Sequence, residues 1–266
     1  MELQLTGKVA LVTGGSRGIG KAVARLLAAE GCDVALAARG LPALEEAADE
    51  LATATGRRVL PFAVDTGSLE SVQAMVAAVT ETLGPVDILV NSAARPAGQT
   101  PPPKLADITD EVFWEDVNVK VLGYLRCAQA VAPAMAARGW GRIVNISGLG
   151  ARSTGSAVGS IRNVAVAALT KNLADELGPS GINVTVVHPG LTRTEATPGV
   201  VSRLAATRGV PAEEVEASLG TNNSIRRLVD ADEVAAVVAF LASPLSSAVT
   251  GDAVACGGGQ AGVIYY

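Results

Sequence analysis

Seven short apolar runs punctuate the chain: Val9–Val12, Val34–Ala37, Val59–Val64, Ile88–Val90, Ile143–Ile146, Val184–Val187 and Ala253–Ala255. Between them, helical patterns lie over about 18–30, 41–54, 69–83, 111–138, 160–177 and 231–242. Runs that are apolar throughout, rather than at alternate positions, predict strands covered on both faces. Strands alternating with helices require right-handed crossovers. The pattern therefore predicts an α/β chain with a Rossmann-type, doubly wound parallel sheet in three layers, a single domain over 1–266. Asp230, with Glu233 three residues on, predicts a capping-box start for the last helix. Pro101-Pro102-Pro103 and the polar stretch 195–224 read as excursions at the C-terminal ends of strands, where such sheets bind ligands.

Composition sharpens the picture. Apolar residues make up 49% and aromatics 3%, with a mean hydropathy of +0.35, which fits a core of Val, Ile, Leu and Ala. The net charge of −5 comes from interspersed signs, so neither nucleic acid nor an anionic membrane is an expected partner. The apolar run Val234 to Ala242 is too short to span a bilayer. The first strand follows the N-terminus directly, leaving no room for a signal peptide, and a cytoplasmic location is expected. Cys32, Cys127 and Cys256 are widely spaced and read as buried thiols. With one histidine in the chain, no metal site is expected.

Candidate chemistry begins at Thr13-Gly14-Gly15-Ser16-Arg17-Gly18-Ile19-Gly20, between the first strand and the Ala-rich helix. Glycines there let the backbone bend and approach a ligand closely. The helix start points unpaired N–H groups and partial positive charge at a diphosphate, so a dinucleotide is the expected cofactor.

From this point the chain resembles the short-chain dehydrogenase/reductase family over nearly its whole length. Thr13 to Gly20 matches the family's TGxxxGIG turn, with Gly14, Ser16, Arg17, Gly18, Ile19 and Gly20 against the cofactor. The resemblance makes Asp65 the contact to the adenine amino group. It places Asn91-Ser92-Ala93-Ala94 at the family's NNAG, a partial match that gives Asn91 and Ala93 cofactor roles. Asn118 matches the asparagine that orders water beside the active site. Pro189-Gly190, with Thr192 and Thr194, matches the turn around the nicotinamide, and Thr250-Gly251 with Gly257-Gly258-Gly259 matches the family's ending. Where a carboxylate usually binds a free ribose 2′-hydroxyl, this chain has Ala38 followed by Arg39, and Arg17 lies in the glycine turn. Two arginines suit a 2′-phosphate, so NADP(H) is expected rather than NAD(H).

The resemblance breaks at the acid–base pair. The family's chemistry needs a tyrosine and, four residues later, a lysine that lowers the phenol pKa. Asn163 to Lys171 overlays the run that begins with that lysine, which puts Asn163 at the lysine and Gly159 at the tyrosine. No shift of register supplies the pair: there is no Tyr between Tyr124 and Tyr265, and no Lys between Lys120 and Lys171. Gly148 stands at the family's serine, with Ser147 one residue early. The catalytic candidates are therefore Asn118, Ser147 and Asn163, the last also expected to bond the nicotinamide ribose. Arg162 could polarise a carbonyl, and His188 is weighed as packing rather than catalysis. Three readings stay open: an oxidoreductase of atypical mechanism on a small carbonyl or hydroxyl substrate, a non-redox lyase or isomerase on the same scaffold, and a catalytically silent cofactor-binding subunit. Similar proteins pair the helices at 111–138 and 160–177 between subunits, implying a homo-oligomer, tetramer or dimer, with Tyr265-Tyr266 closing an interface.

Overall fold

The computed structural model describes residues 2–94 and 103–261; Pro101, Pro102, Tyr265 and Tyr266 lie outside them. In chain order the elements are β1 (Val9–Thr13), α1 (Gly18–Ala29), β2 (Asp33–Ala38), α2 (Leu41–Thr55), β3 (Val59–Ala63), α3 (Leu69–Thr82) and β4 (Ile88–Asn91). There follow α4 (Asp110–Val117), α5 (Gly123–Ala137), β5 (Gly141–Ile146), α6 (Ala157–Leu177), β6 (Ile182–Pro189) and β7 (Thr192–Arg193). The chain continues through α7 (Thr197–Arg208), α8 (Ala212–Gly220), β8 (Val229–Asp230), α9 (Ala231–Ala242) and β9 (Ala253–Cys256). All seven predicted strands join one parallel sheet in the order β3-β2-β1-β4-β5-β6-β9, while β7 and β8 pair separately.

Every residue of β1 is buried because successive side chains meet different layers. Ala10 and Val12 pack into the core that includes Leu27 of α1, Leu44 of α2 and Val238 of α9. Val9 and Leu11 face Val72 of α3 and Val131 of α5. The strand order reverses beside β1, where Thr13 pairs with Asn91 of β4, so the C-terminal ends of these two strands open the crevice that positions a ligand.

Two segments differ from the expected pattern. The helix expected over 111–138 is interrupted by a π-helical turn at Asn118–Leu122, which divides α4 from α5. The excursion at 195–224 contains α7 and α8, whose apolar residues are too sparse for a clear stripe: Val201 alone is buried in α7. Local signals bound α7, with Pro198 in its first turn and Gly209 closing it at φ +68°. At the start of α9, the Glu233 carboxylate accepts the Asp230 N–H at 2.9 Å.

Candidate cofactor and active site

The glycine turn is built by close approach. A Cβ on Gly20 would lie 2.3 Å from the Gly14 carbonyl oxygen, and one on Gly14, at φ +69°, would lie 2.8 Å from the Ser92 carbonyl oxygen. The Thr13 hydroxyl accepts the Ser92 and Ala93 N–H groups at 3.1 and 3.2 Å, tying the turns after β1 and β4 together. Helix α1 starts with no side-chain cap and no acidic residue in its first turn. Instead the Gly18 N–H donates to the Glu195 carboxylate at 3.0 Å. An anion from a distant loop thus already occupies an N–H at this helix start, and the cradle fits a diphosphate.

Arg17 and Arg39 are both exposed, and among the described residues neither side chain has an ion-pair partner. Arg17 and Arg203 line a cleft of about 470 Å³ together with Glu195, Ala196, Gly199 and Val200. Asp65 is exposed just after β3, where its carboxylate accepts the Gly67 N–H at 2.9 Å. Ser16 and Ile19 are half-buried in and after the turn.

On the other side of the crevice, buried polar side chains bind the sheet to α5 and α6. Asn91 donates to the Asn145 side chain at 3.0 Å, and Asn145 donates to the Thr170 hydroxyl at 2.9 Å. Tyr124 donates to the Ile146 carbonyl at 2.9 Å, and burial raises its pKa far above the ordinary phenol value. Ser147 and Asn163 do come together: the Ser147 hydroxyl donates to the Asn163 carbonyl at 3.0 Å. Asn118 is elsewhere, donating to the Gly67 carbonyl at 3.4 Å and accepting from Arg126 at 2.9 Å. The residue that meets Ser147 and Asn163 is Lys120, from the π-helical turn. Its ammonium donates to the Ser147 carbonyl at 2.9 Å and to Asn163 Oδ1 at 3.1 Å. Burial, then the Arg162 charge, hold its pKa down at about 7. The sequence shows a buried lysine only as one polar residue inside a helical pattern, which carries no sign of where its ammonium ends.

Gly159 and Asn163 share one face of α6, four residues apart. Lys171, the lysine of that helix, is exposed and pairs with Asp175 at 2.5 Å. Arg162 pairs with Asp116 at 2.7 Å, and its buried Nε has no hydrogen-bond partner among the described residues. Ser156 caps α6 through the Gly159 N–H, and Ser160 donates to the Ser153 carbonyl, so both serve the local turn. His188 is buried at the end of β6, where its Nδ1 accepts the Gly148 N–H at 3.4 Å; burial, then the Arg152 charge, lower its pKa to about 4. After Pro189, Gly190 packs on Gly257, where a Cβ would lie 2.8 Å from the Gly257 Cα. Thr192 donates to the Gly190 carbonyl at 3.0 Å, and the Thr194 N–H is held by the Thr197 hydroxyl at 2.9 Å. The Thr194 methyl lies against Gly18, so this turn covers the glycine turn. No helix among the described residues is long and apolar enough to cross a membrane.

Comparison with known proteins agrees with this geometry. A family model described as enoyl-(acyl carrier protein) reductase matches residues 14–261. The short-chain reductase protein NovJ of Streptomyces niveus is 35% identical over 253 residues, covering 95% of this chain and 93% of its own. L-sorbose reductase from Gluconobacter frateurii, solved with NADPH and L-sorbose, superposes with a TM-score of 0.93 at 30% identity, covering 99% of this chain and 100% of that one. An actinorhodin polyketide ketoreductase variant solved with NADPH gives 0.88 at 36% identity, over 96% and 98% of the two chains.

Proposed function

The chain belongs to the short-chain dehydrogenase/reductase family, and on that premise we propose that it is an NADP(H)-dependent oxidoreductase that reduces a small carbonyl substrate with a non-standard active site. The observation that carries this reading is the anion cradle at Gly14–Gly20 beside two exposed arginines, Arg17 and Arg39, that have no ion-pair partner among the described residues. Gly18, Ile19 and Gly20 would hold the diphosphate at the start of α1. Arg17 and Arg39 would take the 2′-phosphate, Asp65 the adenine, and Asn91, Ala93, Asn163, Pro189, Gly190, Thr192 and Thr194 the nicotinamide end. NADPH supplies the hydride.

On the protein's side, the tyrosine–lysine pair is absent from α6: Gly159 has no proton to offer and Asn163 does not titrate. The Ser147 hydroxyl is turned to the Asn163 carbonyl and braces α6 against β5. Arg162 is held by Asp116 in an ion pair. What the residues could still provide is orientation of cofactor and substrate, and positioning alone contributes several kcal/mol. Without a general acid the rate should fall by roughly 10²–10⁴.

The test is NADPH consumption over a panel of ketones, with cofactor binding measured separately. Slow but protein-dependent consumption is expected. Tight NADPH binding with no consumption would overturn the oxidoreductase reading in favour of non-redox chemistry or a cofactor-binding subunit, and failure to bind NADP(H) would overturn the cofactor reading as well.

A further inference from the structure

Lys120 is the one buried ammonium among the described residues, 5% exposed, and its hydrogen-bond partners are neutral oxygens. The nearby carboxylate, Asp116, is spent on Arg162 at 2.7 Å. Burying a cation without a bonded anion is unfavourable, and a structural side chain such as leucine would fill the space without that penalty. The lysine also stands in a π-helical turn, an irregularity frequent at functional sites. Its partner Asn163 is held on one side by the Lys120 ammonium, while its Nδ2 lies against the turn after β5: a Cβ on Gly150 or Gly148 would come within 3.1 or 3.3 Å of it.

We propose that Lys120 is the displaced cation of the active site, a positioning residue that fixes and polarises the Asn163 amide from behind and places its positive charge beneath the nicotinamide end of the cofactor. This rests on the cofactor reading above. Donation from the ammonium to Oδ1 makes the Asn163 NH2 a stronger donor toward a ligand oxygen at the turn after β5. The charge works through space on whatever the pocket holds, favouring a neutral or negative group over a positive one.

That charge can be read without turnover. Oxidised nicotinamide is a cation and reduced nicotinamide is neutral, so protonated Lys120 disfavours NADP+ relative to NADPH. The groups facing Lys120 are Arg162 and Asp116, which are ion-paired, His188, whose lowered pKa keeps it neutral above pH 6, and Tyr124, whose raised pKa keeps it neutral. The 2′-phosphate titrates near pH 6 but is common to both cofactors, so it cancels in their ratio.

The experiment measures the ratio of Kd for NADP+ to Kd for NADPH between pH 6 and 8. It uses wild type, Lys120→Met and Asn163→Asp. In wild type the ratio should fall by about 3- to 10-fold as pH rises. Lys120→Met should be flat. Asn163→Asp, which puts a carboxylate on the ammonium and raises its pKa, should move the step above pH 8. A flat wild-type ratio, or a step that persists in a folded Lys120→Met, overturns the proposal. If Lys120→Met does not fold, an unmoved step in Asn163→Asp does so. A protein that shows the step but reduces no ketone keeps this inference and loses the oxidoreductase reading, whereas one that binds no NADP(H) loses both.

Discussion

Glu195 and Gly18, 177 positions apart in the chain, meet through a 3.0 Å hydrogen bond at the start of α1. The carboxylate takes a backbone donor that a diphosphate would need, so a cofactor bound as proposed would have to displace it. Glu195→Ala should tighten NADPH binding by up to about fivefold, the worth of one anion at a helix start. Calorimetry decides this, and unchanged or weaker binding would show that the contact does not compete.

Cofactor preference follows from Arg17, Arg39 and the uncharged Ala38. NADPH should bind at least about tenfold tighter than NADH, since one charge-assisted bond contributes about 1.5–3 kcal/mol. Arg39→Ala should erase most of the difference. Equal affinities in the wild type would refute the 2′-phosphate reading.

Rebuilding the acid–base pair is a test of cooperativity. Gly159→Tyr and Asn163→Lys alone should each leave ketone turnover nearly unchanged. Together they should raise it by more than the product of the singles, because the phenol needs a cation at position 163 on its own face of α6, and the Lys120 ammonium is held back at the Ser147 carbonyl. The structure shows the obstacle: a Cβ on Gly159 would meet the Ser156 hydroxyl at 2.8 Å, so the α6 cap must shift at a cost of about 1 kcal/mol. Strictly multiplicative kinetics in a folded double variant would count against the idea.

His188 makes the fold acid-sensitive. Its folded pKa of about 4 lies below the ordinary 6.5, so between these values the unfolded chain binds a proton that the folded one does not. Stability should therefore be full above pH 6.5 and fall by at most about 3 kcal/mol as pH drops to 4. His188→Asn keeps an acceptor for the Gly148 N–H and should remove this part of the slope in denaturant titrations. Identical acid slopes would assign the loss to other groups.

Assembly is expected through α4 and α6, where Trp114 is 57% exposed and Ile161 and Val164 are each 50% exposed. Apolar side chains this open are suited to burial against a second copy. Light scattering at micromolar concentration should give a dimer or tetramer, and Ile161→Asp with Val164→Glu should shift it toward monomer. A monomeric wild type would end the argument.

The strands, their parallel direction and the glycine turn were legible in the sequence because each rests on a local pattern: an all-apolar run, a helical period between strands, glycines where a Cβ would collide. The meeting of Ser147 with Asn163 was also within reach, since β5 and α6 are neighbours in the chain. Lys120 was not. A π-helical turn turns the face of the helix that follows it, so spacing from Asn118 cannot say which side chain reaches the end of β5. The structure sends Asn118 to Arg126 and Gly67 and brings Lys120 to partners 27 and 43 positions away. Helices α7 and α8, with no clear apolar stripe, and the reach of Glu195 back to Gly18 are likewise matters of packing between distant segments. Local periodicity determined the scaffold; which charges converge inside it was decided by how helices of altered phase pack on the sheet.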